Sequence, residues 1–311
     1  MELRRLKYFL SVVENGGFTE AAATLPVKQR TLMSQVRQLE KEMGLRLIHR
    51  RAGETLLTEA GRIFARHAKD ILGSAERARR AMEDLKYGSD FGEIRIGTVD
   101  SVGIYFLPQV LISLQKKHPG LRLSVLYRNS DEILQALLAD EIDVALVDNP
   151  RTHRNLKMET LIEEQVSLVC ARRHPLFERK YIRPKDIEGL RVIALSAESA
   201  TGRLVQGYLS QLGVGIEPVA SAEDLQTAKK MVEVGLGVTF LPDMITSPDI
   251  SCKGESLGSL ARVKLNPSCN RRIVLATWKQ SKACRSMGTF VEETRKYSSQ
   301  WRACSDSRVV A

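Results

Sequence analysis

Leu6, Phe9, Leu10 and Val13 recur at helical spacing, and Asn15-Gly16-Gly17 ends the run where glycine tolerates the left-handed exit conformation. The pattern predicts a first helix. Thr19 is read as the N-cap of a short second helix, Ala21-Ala22-Ala23-Thr24-Leu25, which must stop before Pro26. Leu32, Val36, Leu39 and Met43, spaced 4, 3 and 4, define the buried stripe of a third helix closing at Gly44. Arg30, Ser34, Arg37 and Lys41 project from its opposite face. From Leu45 to Leu57 the chain alternates like two short strands joined at a glycine turn, with Arg50 and Arg51 at the tip. No proline interrupts Glu59 to Lys86, where Phe64, Ala68, Ile71, Ala75, Ala78, Met82 and Leu85 are spaced 4, 3, 4, 3, 4 and 3. That heptad phase predicts a long helix whose seam pairs two chains, the alternative being a helix packed on its own domain.

Lys86-Tyr87-Gly88-Ser89-Asp90-Phe91-Gly92 has the composition of a linker, and beyond it short strands alternate with helices. Strands are predicted at 94–98, 121–126, 143–147, 166–170, 192–195, 238–241 and 273–276. Helices are predicted at about 105–117, 131–140, 202–212, 223–235 and 285–297, whereas Ser299–Ala311 carries no pattern and is expected to fray. Alternation of this kind predicts an α/β fold of two lobes with mostly parallel sheets. In such sheets ligands sit beyond the carboxyl ends of the strands, which singles out Thr98, Asp100, Ser101, Ser130, Asp148, Ser196 and Thr201.

Composition narrows the function. The chain has 311 residues, 43% hydrophobic and 27% charged, the balance of a folded globular protein with more than one core. Its longest uncharged stretch, Ser101–Gln115, falls short of the roughly 20 apolar residues a membrane span needs, and no export signal is visible, so a cytoplasmic location is expected. The five cysteines form no Cys-x-x-Cys pair and the five histidines no ligand spacing; reduced thiols, no metal and no cofactor are expected. Net charge is +10, with 17 Lys/Arg against 11 Asp/Glu in residues 1–88 and seven basic against two acidic residues in Lys28–Arg51. A basic N-terminal module points to a polyanion. A cationic helix face alone is as readily a solvated surface; preceded by a short helix and a tight turn, it has the helix-turn-helix arrangement, with the following hairpin as a wing.

Catalysis finds no foothold. Gly254-Glu255-Ser256-Leu257-Gly258 fits the nucleophile-elbow spacing, but loop-like residues precede it and no histidine lies beyond His174, so the chain is not expected to be an enzyme.

The chain resembles the LysR-type transcriptional regulators. The resemblance rests on Phe18-Thr19-Glu20-Ala21-Ala22, Leu25, Val27-Lys28-Gln29, Leu32, Val36, Leu39-Glu40, Gly44, Leu47 and Leu57-Thr58-Glu59-Ala60-Gly61. It continues at Gly92–Gly97, Leu107-Pro108, His118-Pro119, Ile142–Ala145, His174-Pro175-Leu176 and Gly235–Pro242. Lys28, Met33 and Ser34 depart from residues common in the family, so base preference does not carry over. The resemblance implies a winged helix-turn-helix over 1–58, a dimerising linker helix over 59–87 and a periplasmic-binding-protein-like effector domain over 92–300, with one lobe at 92–162 and 267–300 and the other at 163–266. It further implies promoter DNA as partner, a dimer or tetramer, contact with RNA polymerase, and a small-molecule inducer between the lobes. Gln29, Arg30, Ser34 and Arg37 are assigned to base edges with Thr31 and Met33 beside them, and Lys28, Arg50 and Arg51 to phosphates. Ser101 and Ser130 match positions that donate to an inducer carboxylate, capping being the alternative for both; Phe240 completes the effector set, and Arg128 and Arg203 offer positive charge nearby.

Overall fold

The computed structural model describes residues 1–51, 54–87, 93–246, 260–279 and 285–306, and they divide into a unit built on Met1–Lys86 and a second unit from Tyr87 onward.

In the N-terminal unit, α1 (Leu3–Glu14), α2 (Phe18–Thr24) and α3 (Gln29–Met43) precede a hairpin of β1 (Ile48–Arg51) and β2 (Glu54–Leu57), and α4 (Glu59–Tyr87) follows. The apolar stripes meet as their spacing requires: Leu6, Phe9, Leu32 and Leu39 are fully buried, each worth roughly 1.5–3 kcal/mol of apolar transfer. Gly44 takes φ +67° and closes α3. Helix α2 starts one residue before the expected cap: Gly17 stands at the N-cap, Phe18 turns into the core, and the Thr19 hydroxyl instead accepts from Gln29 Nε2 at 2.9 Å. Thr58 caps α4, accepting from the Gly61 N–H at 2.9 Å while its hydroxyl donates to the Arg46 carbonyl at 2.7 Å. A Cβ on Gly61 would lie 2.0 Å from the Leu47 carbonyl oxygen, so the base of the hairpin packs where only glycine fits.

The heptad seam of α4 divides. Phe64, Ala68 and Ile71 pack on the N-terminal core, with the Phe64 ring 5.5 Å from that of Phe9. The packed-on-its-own-domain alternative therefore holds for the first half of the seam, because α1 presents an apolar face within reach. Beyond it Ala75 is half-buried and Ala78 and Met82 are exposed; the side chain of Leu85 lies outside the described residues.

The C-terminal unit runs β3 (Glu93–Thr98), α5 (Asp100–Tyr105), α6 (Leu107–Lys117), β4 (Arg122–Tyr127), α7 (Ser130–Leu138), β5 (Val144–Asp148), β6 (Leu156–Ala171), β7 (Tyr181–Ile182), β8 (Val192–Leu195), α8 (Ala200–Gln211), β9 (Pro218–Ala222), α9 (Leu225–Glu233), β10 (Thr239–Pro242), α10 (Asp243–Thr246), β11 (Leu260–Leu265), β12 (Cys269–Trp278) and α11 (Arg285–Asp306). Its sheet is mixed, which corrects the parallel expectation. β4-β3-β5 is parallel, but β12 joins β5 and β6 antiparallel, and β10 and β11 join β6 antiparallel. The reason is the length of β6 and β12, a two-stranded ribbon that threads two cores. Leu161, Ile162, Ile273 and Leu275 enter a first-lobe core with Ile94, Phe106 and Phe290; Val166, Leu168 and Cys269 enter a second-lobe core with Val205, Val238 and Phe240.

Other differences have local causes. The helix expected over 105–117 is two, broken at Phe106 because Pro108 has no N–H to continue the first. Strands β7, two residues long, and β9, mostly exposed, escaped the pattern, as did β11. Fraying is expected from Ser299, but α11 continues to Asp306, with buried Trp301 stacked edge-on to Phe106 at 6.2 Å; residues 307–311 lie outside the described residues. The linker glycines 88 and 92, Cys252, Cys284 and the Gly254–Gly258 spacing lie outside the described residues, as does the side chain of Cys304.

Candidate functional site

Two clusters of the sequence-assigned residues carry chemistry. The first is the outer face of α3, where Gln29, Arg30, Met33, Ser34 and Arg37 line one shallow hollow. Lys28, Gln29, Arg30, Thr31, Ser34 and Arg37 are exposed and Met33 is half-buried. Helical periodicity does this: with Leu32, Val36 and Leu39 in the core, residues 30, 34 and 37 must face out. Among the described residues no carboxylate pairs with Lys28, Arg30 or Arg37 within 4.0 Å, whereas Arg5, on α1, is bound by Glu2, Gln35 and Glu42. The face thus presents uncompensated positive charge around a polar groove. Glu40 turns inward and accepts the N–H groups of Leu47 and Ile48 at 2.8 and 3.0 Å, which anchors the hairpin to α3. Arg50 and Arg51 lie on β1; their side chains are outside the described residues.

The second cluster lies between the lobes of the C-terminal unit and is centred on Arg271, a residue the sequence reading missed. Arg271 faces Glu164 across the β12–β6 ribbon, and both point inward between the two cores. The guanidinium is fully buried. Its Nε and Nη2 donate to Glu164 Oε1 at 2.9 and 2.6 Å, and its Nη1 to the hydroxyls of Ser101 and Thr201 at 3.1 and 3.2 Å. Asp148, at the end of β5, lies 3.5 Å from the same Nη1. Its carboxylate accepts from Ser130 Oγ at 2.6 Å and from Thr201 Oγ1 at 2.8 Å. Glu164 Oε2 accepts the Met244 N–H at 2.6 Å. Burial pushes the Glu164 carboxyl up, while the guanidinium and the Met244 N–H pull it down.

Four of the assigned effector residues, Ser101, Ser130, Asp148 and Thr201, are therefore brought together, and all four are buried. Capping does not explain Ser130, since Asn129 Oδ1 takes the Glu132 N–H at the start of α7. The others stand apart. Thr98 donates to the Leu146 carbonyl at 3.1 Å inside the sheet, and Phe240 is a core side chain packed against β6, because strand alternation turns it toward the second-lobe interior. Ser196 caps a local turn by accepting the Glu198 N–H. Asp100 is exposed at the start of α5; partial burial and the charge of Asp224 push its carboxyl up. Arg203 is held by Asp131 at 2.8 Å, and Arg128 is exposed at the end of β4. A signal for Arg271 and Glu164 did exist: each is a charged residue at the inward phase of an alternating strand, but the predicted strands began at 273 and 166, just beyond them.

Cys170 and Cys269 are buried, and burial pushes both thiols up to about 11, which leaves them inert as nucleophiles. Among the described residues no group of three or more His, Cys, Asp or Glu has the arrangement of a metal site, and no helix is long and apolar enough to cross a membrane.

Comparison with known proteins agrees with this division. The family described as the bacterial regulatory helix-turn-helix protein, lysR family, matches residues 3–62, and the LysR substrate binding domain matches residues 88–298. A probable RuBisCO transcriptional regulator of Trieres chinensis is 27% identical over 287 residues, covering 86% of this chain and 92% of that protein. Among solved structures, a full-length cysteine-to-aspartate variant of OxyR from Pseudomonas aeruginosa superposes with a TM-score of 0.68 at 20% identity over 95% of each chain. Full-length CbnR complexed with its target DNA gives 0.63 at 23% identity, covering 96% of this chain and 100% of that one.

Proposed function

Because the chain belongs to the LysR family of DNA-binding transcriptional regulators, which are not enzymes, we propose that it reads promoter DNA with the outer face of α3 and answers a small molecule received between its two lobes. The observation that carries the DNA half is the row of exposed, unpaired cations on a helix whose other face is locked into a core. Arg30 and Arg37, with Gln29 and Ser34, reach base edges in the major groove; Thr31 and Met33 flank them, and Lys28, Arg50 and Arg51 meet phosphates. The chain works as a dimer or tetramer through the second half of the α4 seam, Ala75, Ala78, Met82 and Leu85, so that two reading helices meet two half-sites. Residues 1–58 form the reading domain, 59–87 the pairing helix, and 92–300 the effector domain with the lobe limits given above. Ser101, Ser130, Asp148 and Thr201 line the effector site. Occupancy changes how the dimers are spaced, bends the DNA and alters contact with RNA polymerase in the cytoplasm.

The test is a gel-shift series on fragments flanking the coding region. Arg30→Ala should weaken specific binding by roughly 1–3 kcal/mol, or about 5- to 150-fold, and relax sequence preference. Lys28→Ala should weaken binding to all sequences alike and lower the salt slope by about one. Swapped outcomes refute the assignment of roles, and a wild-type chain that retards no fragment in dilute salt refutes the reading face itself.

A further inference from the structure

The Ser101, Ser130 and Thr201 hydroxyls, which suit an inducer's carboxylate, are already engaged by the chain's own charged groups. Ser130 and Thr201 both donate to Asp148, Thr201 and Ser101 both meet Arg271, and Arg271 spends its remaining inward edge on Glu164. The elements involved come from both lobes: Ser101, Ser130 and Asp148 sit against the first-lobe core, whereas Thr201 lies in the first turn of α8, which packs in the second. Two further bonds cross between the lobes, Tyr105 to Gln226 at 3.1 Å and Arg203 to Asp131 at 2.8 Å.

We propose that Asp148 is an internal ligand: its carboxylate fills the carboxylate-sized place between Ser130, Thr201 and the Arg271 guanidinium, and so ties the two lobes together. This rests on the reading of the inter-lobe space as the effector site, and it sharpens that reading. The hydroxyl protons of Ser130 and Thr201, which would suit a small free carboxylate, are already given to Asp148 in the wild-type chain. An effector acting here must part Asp148 from its partners. The charge count agrees, since one buried guanidinium already faces two carboxylates and a third anion beside Asp148 would meet repulsion.

An internal ligand of this kind should be open to chemical complementation. In full-length Asp148→Ala the carboxylate is gone, and Ser130, Thr201 and Arg271 Nη1 surround a vacancy shaped for formate. Formate has three heavy atoms, so the ceiling on affinity per atom puts its best Kd near about 1 mM. Thermal unfolding is followed in sodium formate up to ~100 mM against sodium chloride of equal ionic strength. The expected result is that formate raises the Tm of Asp148→Ala, saturably and beyond chloride, while wild type and the Asp148→Ala/Arg271→Met double variant respond to the two salts alike. If Asp148→Ala does not fold, refolding is tried with and without formate; recovery in formate alone supports the proposal and failure in both overturns it. Full-length Asp148→Asn is the second variant: its amide fills the vacancy, so formate and chloride must act on it equally, and a formate-specific gain there overturns the proposal. A formate-specific rise in wild type, or none in a folded Asp148→Ala, also overturns it. Footprints on promoter DNA with and without formate separate the two ideas. If formate restores Asp148→Ala stability but leaves its footprint unchanged, the internal ligand stands and the effector reading fails; without the thermal rescue the internal ligand fails whatever the footprint does.

Discussion

Replacing Arg271 by methionine removes the charge while keeping most of the volume of a fully buried side chain. It strips two donors from Glu164 Oε1 and leaves that carboxylate in the interior with the Met244 N–H as its remaining partner. Breaking a buried pair by deleting one partner typically costs about 3–5 kcal/mol, most of it the desolvation of the ion left behind. For a unit of roughly 200 residues, each kcal/mol moves the Tm by about 2–4 °C, so Arg271→Met should melt about 6–20 °C below wild type. The loss should depend on pH with a definite sign. Burial already raises the Glu164 carboxyl above its ordinary value of 4.5, and without the guanidinium nothing of comparable strength opposes that rise. A group raised in the folded state stabilises below its unfolded pKa and loses that contribution as pH climbs through its folded value, so the deficit of Arg271→Met should be larger at pH 8 than at pH 5.5. Arg271→Met/Glu164→Leu, which deletes both charges, should recover most of the loss and show no such pH dependence. Calorimetry of the full chain at the two pH values measures all of this. Losses that simply add in the double variant, or a single variant within about 1 kcal/mol of wild type, would refute the claim that these residues form one buried ion pair.

Three further outcomes follow from the geometry. Gly61→Ala gains about 1 kcal/mol of helix propensity, but its Cβ meets the Leu47 carbonyl at 2.0 Å, a backbone contact that costs about 1–3 kcal/mol or more; a net fall in Tm and weaker promoter binding are expected, and a rise would contradict the packing. Cys170 and Cys269, with thiols at about 11, hold on the order of 0.1% thiolate at pH 8, so peptide mapping after brief native alkylation should find both unmodified while the urea-unfolded chain is labelled at both. Met82→Glu places a charge on the second half of the α4 seam, and sedimentation should show a shift toward monomer with the Tm of the C-terminal unit unchanged; an unaltered oligomer would remove Met82 from the pairing surface.

Whatever depends on local periodicity could be read from the order of residues alone. The three N-terminal helices, the Gly44 stop, the hairpin after it and the outward row of Arg30, Ser34 and Arg37 all follow from 3.6-residue and two-residue repeats, and those repeats survive folding because each element buries one face. Motif residues such as Thr58 and Gly61 were visible as a pattern, though their reason, a cap and a carbonyl 2.0 Å from a missing Cβ, appears only in three dimensions. Tertiary structure decided the rest. It gave half of the heptad seam to the N-terminal core, since a heptad repeat states that a face is apolar and not which neighbour covers it. It made the sheet mixed, because strand order and direction are set by which long strands cross between cores. It also placed Arg271 and Glu164 together from positions 107 residues apart, turning a set of hydroxyls legible as ligand donors into partners of the chain's own charges. Burying a guanidinium is tolerable only where carboxylates and hydroxyls converge on it from several distant segments, and convergence of that kind leaves no period in a sequence.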